Sequence, residues 1–230
     1  MKFTFGIVTS GSADDFVNVV IDSIETQNIP EYEVLVVGNS SVSRKNTTVI
    51  SFDEGQKPAW ITRKKNLITQ NAKYENIVYS HDYIKYNDGW YRGWLEYGED
   101  YKTCMNPILN TDGVRYRDWS IWPHNNNFMD GIMARNKGCL IPYTMTHLSK
   151  YMYFSGAYWV AKKQVMEEFP LDERLSWGQS EDVTWSMQVR EKYDFSINSK
   201  SIVQLIKHKP DRAFNEPDQV TLEQLMEIGK

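Results

Sequence analysis

Short apolar runs alternate with amphipathic segments along the first third of the chain, and this alternation constrains the fold more than any other feature. The runs FTFGIVTS, YEVLVVG, TTVISF and NIVYS predict four strands. Between them, ADDFVNVVIDSIETQ and PAWITRKKNLITQNAK predict helices, the second with Pro58 near its start. The predicted apolar face of the first helix consists of Phe16, Val19, Val20 and Ile24. Strands that alternate with helices predict a parallel sheet that is covered on both faces.

The ends of these strands place polar residues along one edge of the predicted sheet. In sheets of this kind, ligands bind at the carboxyl ends of the strands. The residues that follow the strands are Thr9-Ser10-Gly11, Gly38-Asn39-Ser40, Asp53 and His81-Asp82. We therefore expect the functional site at this edge.

The second half of the chain is less regular. From Tyr97 to Met152 it is rich in Asn, Asp, Gly, Pro and Trp, which is typical of a functional loop or a lid. Beyond this segment, YFSGAYWVAKK predicts a strand, KKQVMEEF and SEDVTWSMQVREKY predict helices, and SIVQLIKHK predicts a strand that ends at His208. Ser180 is the predicted N-cap of the second of these helices. The tail after Pro210 is polar, with one short predicted helix, DQVTLEQLMEI.

Composition and charge exclude several classes of protein. The net charge of -4 and the short basic cluster Arg63-Lys64-Lys65 disfavour a nucleic-acid partner, and Arg63 and Lys64 are expected on a solvated helix face. No apolar run approaches the ~20 residues that a transmembrane helix needs, and MKFTFGIVTSG predicts a strand rather than a secretory signal. Cys104 and Cys139 lie far apart without metal-binding neighbours, so we expect reduced thiols and a cytoplasmic location.

The aromatic residues suggest a ligand. There are 8 Trp and 14 Tyr, and several fall in polar surroundings such as DGWYRGWLEYGEDY. Aromatic faces beside polar groups suit stacking on a sugar or a base, although burial in the core is the default for any single one.

Asp82 and His208 are candidate metal ligands, because each follows an apolar strand. A divalent ion on a diphosphate needs only one or two protein ligands. Asp82 would supply an oxygen and His208 a nitrogen, which would suit Mn²⁺ better than Mg²⁺ if the two strand ends converge. Taken alone, Asp82 also suits the start of a turn and His208 a solvated strand end.

The segment WGQSEDVTWS places Glu181 and Asp182 in the first turn of a predicted helix. Acids at this position stabilise the helix dipole, and this role accounts for both of them. It leaves Trp177 and Gly178, immediately upstream, without an explanation.

Together, SHDYIKYNDGW, FSGAYWVAKK and WGQSEDVTWS resemble the ordered motifs of nucleotide-sugar glycosyltransferases of the GT-A fold, family 2-like. The resemblance spans roughly Phe3 to His208. It implies one GT-A catalytic domain with a mostly parallel α/β sheet flanked by helices and an irregular acceptor-side half. Residues 1–96 would bind the nucleotide sugar, residues 97–208 would bind the acceptor, and residues 209–230 would form a tail.

For the metal, the resemblance implies Mn²⁺ or Mg²⁺ as the cofactor. Asp82 matches the central acid of the family's metal motif, and His208 matches late histidines that bind the metal in some relatives. His81 and Tyr83 stand where that motif often has further acids, so metal binding is expected to be weaker or to depend on His208.

For the nucleotide, Thr9 to Gly11 match the first-strand loop that frames it, and Asp53 matches a position that often contacts the base. Lys65 and Asn66 match a pair near the diphosphate. Gly38-Asn39 departs from the acid that commonly follows the second strand.

For the chemistry, Asp182 matches the general base of an inverting transfer, and Glu181 matches a contact to the acceptor or to the donor sugar. Gly156 matches a glycine that lets the sugar approach the backbone, since glycine has no side chain. Trp177 would stack on the acceptor. His124 and His147 match nothing and are expected to be structural or solvent-facing.

The resemblance therefore implies a metal-dependent hexosyltransferase that moves a sugar from a nucleotide-diphospho donor, expected to be a UDP-sugar, to a hydroxyl acceptor. The acceptor is expected to be a glycan, as in polysaccharide biosynthesis, and a lipid-linked acceptor would bring a peripheral membrane contact. Residues 101–152 would form the acceptor side, with Trp119, Trp122 and Trp177 as stacking surfaces. Asp182 would take the proton of the attacking hydroxyl.

Other functions stay open at this point. A retaining transferase and a nucleotidyltransferase also build metal sites at strand ends. Tyr83 in place of an acid suits an inactive, carbohydrate-binding relative. A Rossmann-type oxidoreductase is disfavoured, because no GxGxxG follows the first strand.

Overall fold

The computed structural model describes residues 1–121 and 139–210, and the first half of the chain alternates as the sequence predicts. The predicted residues Trp122 and His124 and the predicted helix of the tail lie outside the described residues. The elements of the first half are β1 (Phe3–Val8), α1 (Asp14–Glu25), β2 (Tyr32–Val37), β3 (Thr47–Ile50), α2 (Ile61–Asn71), β4 (Asn76–His81), β5 (Ile84–Tyr86) and α3 (Trp90–Tyr97).

The second half has shorter elements. They are β6 (Thr103–Met105), β7 (Ile108–Leu109), β8 (Ser120–Ile121), β9 (Cys139–Leu140), a 3₁₀ turn (Ser149–Tyr151), β10 (Met152–Tyr153), β11 (Tyr158–Lys162), α4 (Lys163–Glu168), α5 (Glu181–Val189), β12 (Phe195–Ile197) and β13 (Val203–Leu205). The strand predicted within YFSGAYWVAKK and the two helices predicted after it are confirmed as β11, α4 and α5. The strand predicted to end at His208 is β13, which ends at Leu205.

Within the described residues, seven strands form the central sheet in the order β12-β6-β11-β4-β1-β2-β3. Strand β1 pairs in parallel with β2 and β4, and β2 pairs in parallel with β3. Strand β11 runs antiparallel to both β4 and β6. The predicted mixed α/β fold with a mostly parallel central sheet is therefore confirmed, and the carboxyl ends of β1 to β4 form one rim.

Helix α1 shows where periodicity alone was wrong. The residues that it buries are Val17, Val20, Ile21 and Ile24. Val19 was predicted on the apolar face, but its side chain is 41% exposed. The run VNVVI has apolar residues at almost every position, so its spacing does not define one face, and packing on the sheet decides which side is buried.

The aromatic residues of α3 belong to the core, which corrects their assignment to ligand stacking. Trp90 and Trp94 are both 0% exposed, and their rings contact Phe3 at centroid distances of 5.2 and 5.8 Å. Their spacing of four residues puts them on one helix face. Trp119 is also 0% exposed and cannot stack on an acceptor. Full burial of a large apolar side chain stabilises the fold by about 1.5–3 kcal/mol.

Two further expectations can be compared with the structure. Cys104 is a free, buried thiol. In the ranges 1–121 and 139–210, we find no helix with the length and apolar character that a bilayer crossing needs.

Candidate active site

Strands β1, β4 and β11 bring the central residues of the site together. The amide of Asp82 donates a hydrogen bond to the carbonyl of Val8 at 3.2 Å, which places Asp82 beside Thr9 at the end of β1. The amide of His81 donates to the carbonyl of Ala157 at 3.1 Å. Because β11 runs antiparallel to β4, the segment before β11 reaches the same rim.

The loop after β1 depends on two glycines. Gly11 has a φ of 87°, and a Cβ there would lie 2.3 Å from the carbonyl oxygen of Asn39. Gly38 has a φ of 147°, and its Cβ would lie 2.3 Å from the carbonyl oxygen of Thr9. Side chains at these positions would force the β1 and β2 loops apart, so glycine keeps the rim compact.

Two further residues predicted at the nucleotide, Ser10 and Asp53, are exposed. The Ser10 hydroxyl lies 3.4 Å from that of Ser12, and Asp53 accepts a hydrogen bond from the Gly55 amide at 2.9 Å. Asp53 therefore closes a local turn beyond β3. Its contact to a base stays a prediction.

Asp82 is a mostly buried carboxylate on which several lysine charges act. Its side chain is 9% exposed, and burial raises the pKa of this carboxyl. The Thr9 hydroxyl donates a hydrogen bond to it, which opposes the rise in pKa. The ammonium groups of Lys207, Lys209 and Lys64 act in the same direction, because positive charge favours the ionised form.

The structure does not bring His208 to Asp82. The Nδ1 atom of His208 lies 3.2 Å from the Thr111 hydroxyl and 4.0 Å from the Asp112 carboxylate. The two neighbours of His208 in sequence, Lys207 and Lys209, lie over the ring of Tyr83 instead, so His208 points to the other side of this segment.

His81 is a half-buried residue of the rim. Its ring stacks on that of Tyr83 at a centroid distance of 5.2 Å. Burial, followed by the nearby Lys65, lowers the pKa of His81 well below its usual value. We therefore expect a neutral imidazole beneath Tyr83.

The basic helix α2 is buried where it was expected to be exposed or to contact a ligand. Lys64 was predicted on a solvated face, but its ammonium donates to the Thr9 carbonyl at 2.7 Å and pairs with Glu54. The amide of Asn66 donates to the Leu171 carbonyl at 2.9 Å and to Glu173 at 3.0 Å. Asn66 therefore tethers the segment after α4.

Lys65 is 0% exposed, and its ammonium donates a hydrogen bond to the Gly156 carbonyl at 2.7 Å. It also lies 4.3 Å from the ring centroid of Trp159. Burial lowers the pKa of Lys65 to about 8, and the carboxylates of Glu181 and Asp182 oppose this shift. Lys65 thus sits beneath the acidic pair and does not face a ligand directly.

Glu181 and Asp182 meet the backbone of Gly156. The Gly156 amide donates to Asp182 Oδ2 at 2.7 Å, and a Cβ at Gly156 would lie only 3.1 Å from Glu181 Oε1. Glu181 is 5% exposed, and burial together with the charge of Asp182 raises the pKa of Glu181. The glycine therefore leaves room for two carboxyl groups and fixes one of them.

Ser180 precedes α5 as predicted, but its side chain makes no capping hydrogen bond. It has a φ of 58°, in the left-handed region. The backbone at this position turns sharply, and the Trp177 amide upstream is held by the Ala59 carbonyl at 3.0 Å.

An open cleft runs in front of the acidic pair. Trp177 is 64% exposed and forms one wall, and His147 is exposed elsewhere on the surface. The cleft residues are Arg117, Tyr153, Trp177, Gly178, Ser180, Glu181, Asp182 and Val183. A partly buried carboxylate that faces a cleft beside an exposed aromatic ring can take a proton from a bound hydroxyl group.

Sequence reasoning missed Arg117, Lys207 and Lys209. Arg117 lies in an irregular segment that gives no periodic signal. The two lysines flank His208 in the run KHK. Residues two apart in an extended segment share a side, which is the signal that was available.

Comparison with solved structures identifies the fold of this chain. A crystal structure of S. aureus TarS 1-349 matches with a TM-score of 0.61 and 14% identity over 89% of this chain and 60% of that one. TarS 1-349 in complex with UDP-GlcNAc gives 0.60 and 12% over 93% and 60%. GalNAc-T7 with UDP, GalNAc and Mn²⁺ gives 0.66 and 13% over 93% and 44%.

These likenesses confirm the predicted GT-A fold. No protein-family model matches the sequence, and the search of curated proteins gives no match either. The chain spans less than two thirds of the length of the TarS and GalNAc-T7 chains that it matches.

Proposed function

We propose that the chain is a glycosyltransferase that transfers a hexose from a UDP-sugar to a hydroxyl acceptor, expected to be on a glycan, with inversion at the anomeric carbon. The observation that carries the proposal is the Asp182 carboxylate, which the Gly156 amide holds at 2.7 Å beside an open cleft at the carboxyl rim of the sheet. The fold shared with TarS, solved with UDP-GlcNAc, supports this class of donor.

In this proposal the donor lies along the rim. The loop from Thr9 to Gly11 frames the nucleotide, and Asp53 contacts the base. Residues 1–96 hold the nucleotide sugar, and residues 97–208 hold the acceptor. The close packing at Gly11 and Gly38 supports this arrangement. It holds the loops after β1 and β2 against each other, so that a ligand has room to lie across the strand ends.

Asp182 acts as the general base. The acceptor oxygen attacks the anomeric carbon, its proton passes to Asp182, and the bond to the diphosphate breaks with its electron pair on the phosphate oxygen. Such assistance contributes about 10²–10⁴-fold to the rate. Glu181 contacts the acceptor or the donor sugar, and Trp177 stacks on the acceptor, which its 64% exposure supports.

A divalent ion, Mn²⁺ or Mg²⁺, was expected at Asp82 and His208, and the described residues do not fit it. His208 faces Thr111, and the positive charges of Lys207, Lys209 and Lys64 act on the Asp82 carboxylate. Because ammonium groups repel a cation, this arrangement does not favour a divalent ion at Asp82.

The test is the substitution Asp182→Asn, with Asp100→Asn as a matched control on an exposed acid away from the cleft. UDP release is measured with UDP-hexoses, and UDP affinity is measured by calorimetry. We expect Asp182→Asn to lower turnover by about 10²–10⁴-fold with UDP affinity within about twofold of wild type. An equal loss of turnover and of UDP binding would rule out Asp182 as the base.

The anomeric configuration of the product distinguishes an inverting transferase from a retaining one. Proton NMR of the glycosylated acceptor should show the anomeric configuration opposite to that of the donor. Retention would instead favour a retaining transferase.

A further inference from the structure

The segment after β13 carries two lysines to the rim where a metal was expected. The ammonium of Lys209 lies 3.5 Å from the centroid of the Tyr83 ring, and that of Lys207 lies 5.1 Å from it. Tyr83 directly follows Asp82, so both ammonium groups lie beside the end of β4.

The backbone of this segment is firmly held. The amide of Ile206 donates to the Tyr83 carbonyl at 2.9 Å. The side chain of Asn110 donates to the Lys209 carbonyl at 2.7 Å and accepts from the Lys209 amide at 3.1 Å. The lysine pair is therefore presented by a fixed backbone rather than by a loose tail.

At the end of β4, the positive charges of Lys207 and Lys209 outnumber the negative charge of Asp82. Of the basic groups that act on the Asp82 carboxylate, Lys64 already pairs with Glu54. Lys207 and Lys209, which lie over the ring of the adjacent Tyr83, add two positive charges near the one negative charge of Asp82. Arg117 also acts on Lys209 and lines the cleft together with Glu181 and Asp182. Such a surface attracts a diphosphate and repels a divalent cation.

We propose that Lys207 and Lys209 bind the diphosphate of the donor in place of a divalent metal ion. The Tyr83 ring and the Asn110 side chain keep the lysine pair at the end of β4. The ammonium groups neutralise the leaving diphosphate when the anomeric C–O bond breaks onto its oxygen. The acceptor proton still goes to Asp182, so the transfer balances without another reactant. This inference rests on the proposed function.

The experiment measures the affinity of UDP and of uridine by calorimetry, in EDTA and in Mn²⁺. The variants are Lys207→Met, Lys209→Met and the control Lys200→Met, which removes an exposed lysine paired with Glu96. We expect wild-type UDP affinity to change less than about threefold between EDTA and Mn²⁺. Each rim variant should lose at least about tenfold for UDP, with uridine unchanged, because it loses a charge-assisted contact to phosphate.

The outcomes separate the inference from the proposed function. UDP binding that needs Mn²⁺ would overturn the inference and leave the transferase proposal standing. Lysine variants that bind UDP as wild type does would also overturn it. No binding of UDP under any condition would count against the proposed function itself. The wild-type comparison of EDTA with Mn²⁺ needs no variant, so it decides the question even if a variant folds poorly.

Discussion

Replacement of Lys65 by Met would remove a buried charge beneath the acidic pair. In the folded protein, burial lowers the pKa of Lys65 from 10.5 to about 8. In the unfolded chain the group returns to about 10.4. Between these two values the unfolded state binds more protons than the folded state, so the free energy of unfolding of the wild type rises with pH there.

The size of the effect follows from the shift. At about 1.36 kcal/mol per pKa unit, the full shift corresponds to ~3 kcal/mol. Between pH 7 and pH 9.5 the wild type should gain about 2 kcal/mol of stability from Lys65 alone. Lys65→Met has no such group, so its stability should not show this gain. Lys209, whose pKa burial also lowers to about 8, is present in both proteins and cancels in the difference.

Urea unfolding of both proteins, at half-unit steps from pH 7 to pH 9.5, measures this difference. Lys200→Met, which removes an exposed lysine, should keep the wild-type pH dependence. Parallel stability curves for wild type and Lys65→Met would refute the assignment of a depressed pKa to Lys65.

The remaining predictions concern the cleft and the glycine loop. Gly156→Ala should lower turnover by about 10–100-fold with stability nearly unchanged, as measured by steady-state kinetics and urea unfolding. The added Cβ would press on the carboxylates of Glu181 and Asp182 and weaken a charge-assisted hydrogen bond. Trp177→Ala should raise the acceptor KM without changing UDP affinity, and unchanged acceptor kinetics would contradict a stacking role. Gly11→Ala should cost about 1–3 kcal/mol in urea unfolding, because a Cβ is strained at its φ of 87°.

The first half of the fold was predictable because its signals are local. Buried strands such as FTFGIV and YEVLVV are continuous apolar runs, and the helices between them have clear limits. The rim followed from the parallel arrangement, and with it the meeting of Thr9 and Asp82. The pairing of Gly156 with the acids needed the family resemblance, since 25 residues separate Gly156 from Glu181 in the sequence.

The rest depended on tertiary contacts. Lys64 and Lys65 carry charges that favour water, and the carbonyls of Thr9 and Gly156, together with Glu54 beside Lys64, make their burial tolerable. Trp90 and Trp94 have polar neighbours in sequence, yet their common helix face meets the core. His208 failed to reach Asp82 because the extended segment turns alternate residues to opposite sides.

Thermal unfolding with UDP, GDP and CMP tests whether the chain is a UDP-sugar transferase, since such an enzyme must bind its nucleotide. A nucleotide at a hundredfold its dissociation constant stabilises the folded state by about 2.7 kcal/mol, which gives a readily measured rise in Tm. We expect a rise in Tm with UDP that exceeds the rises with GDP and CMP. No rise with any of the three would contradict it and favour a carbohydrate-binding protein of the same fold.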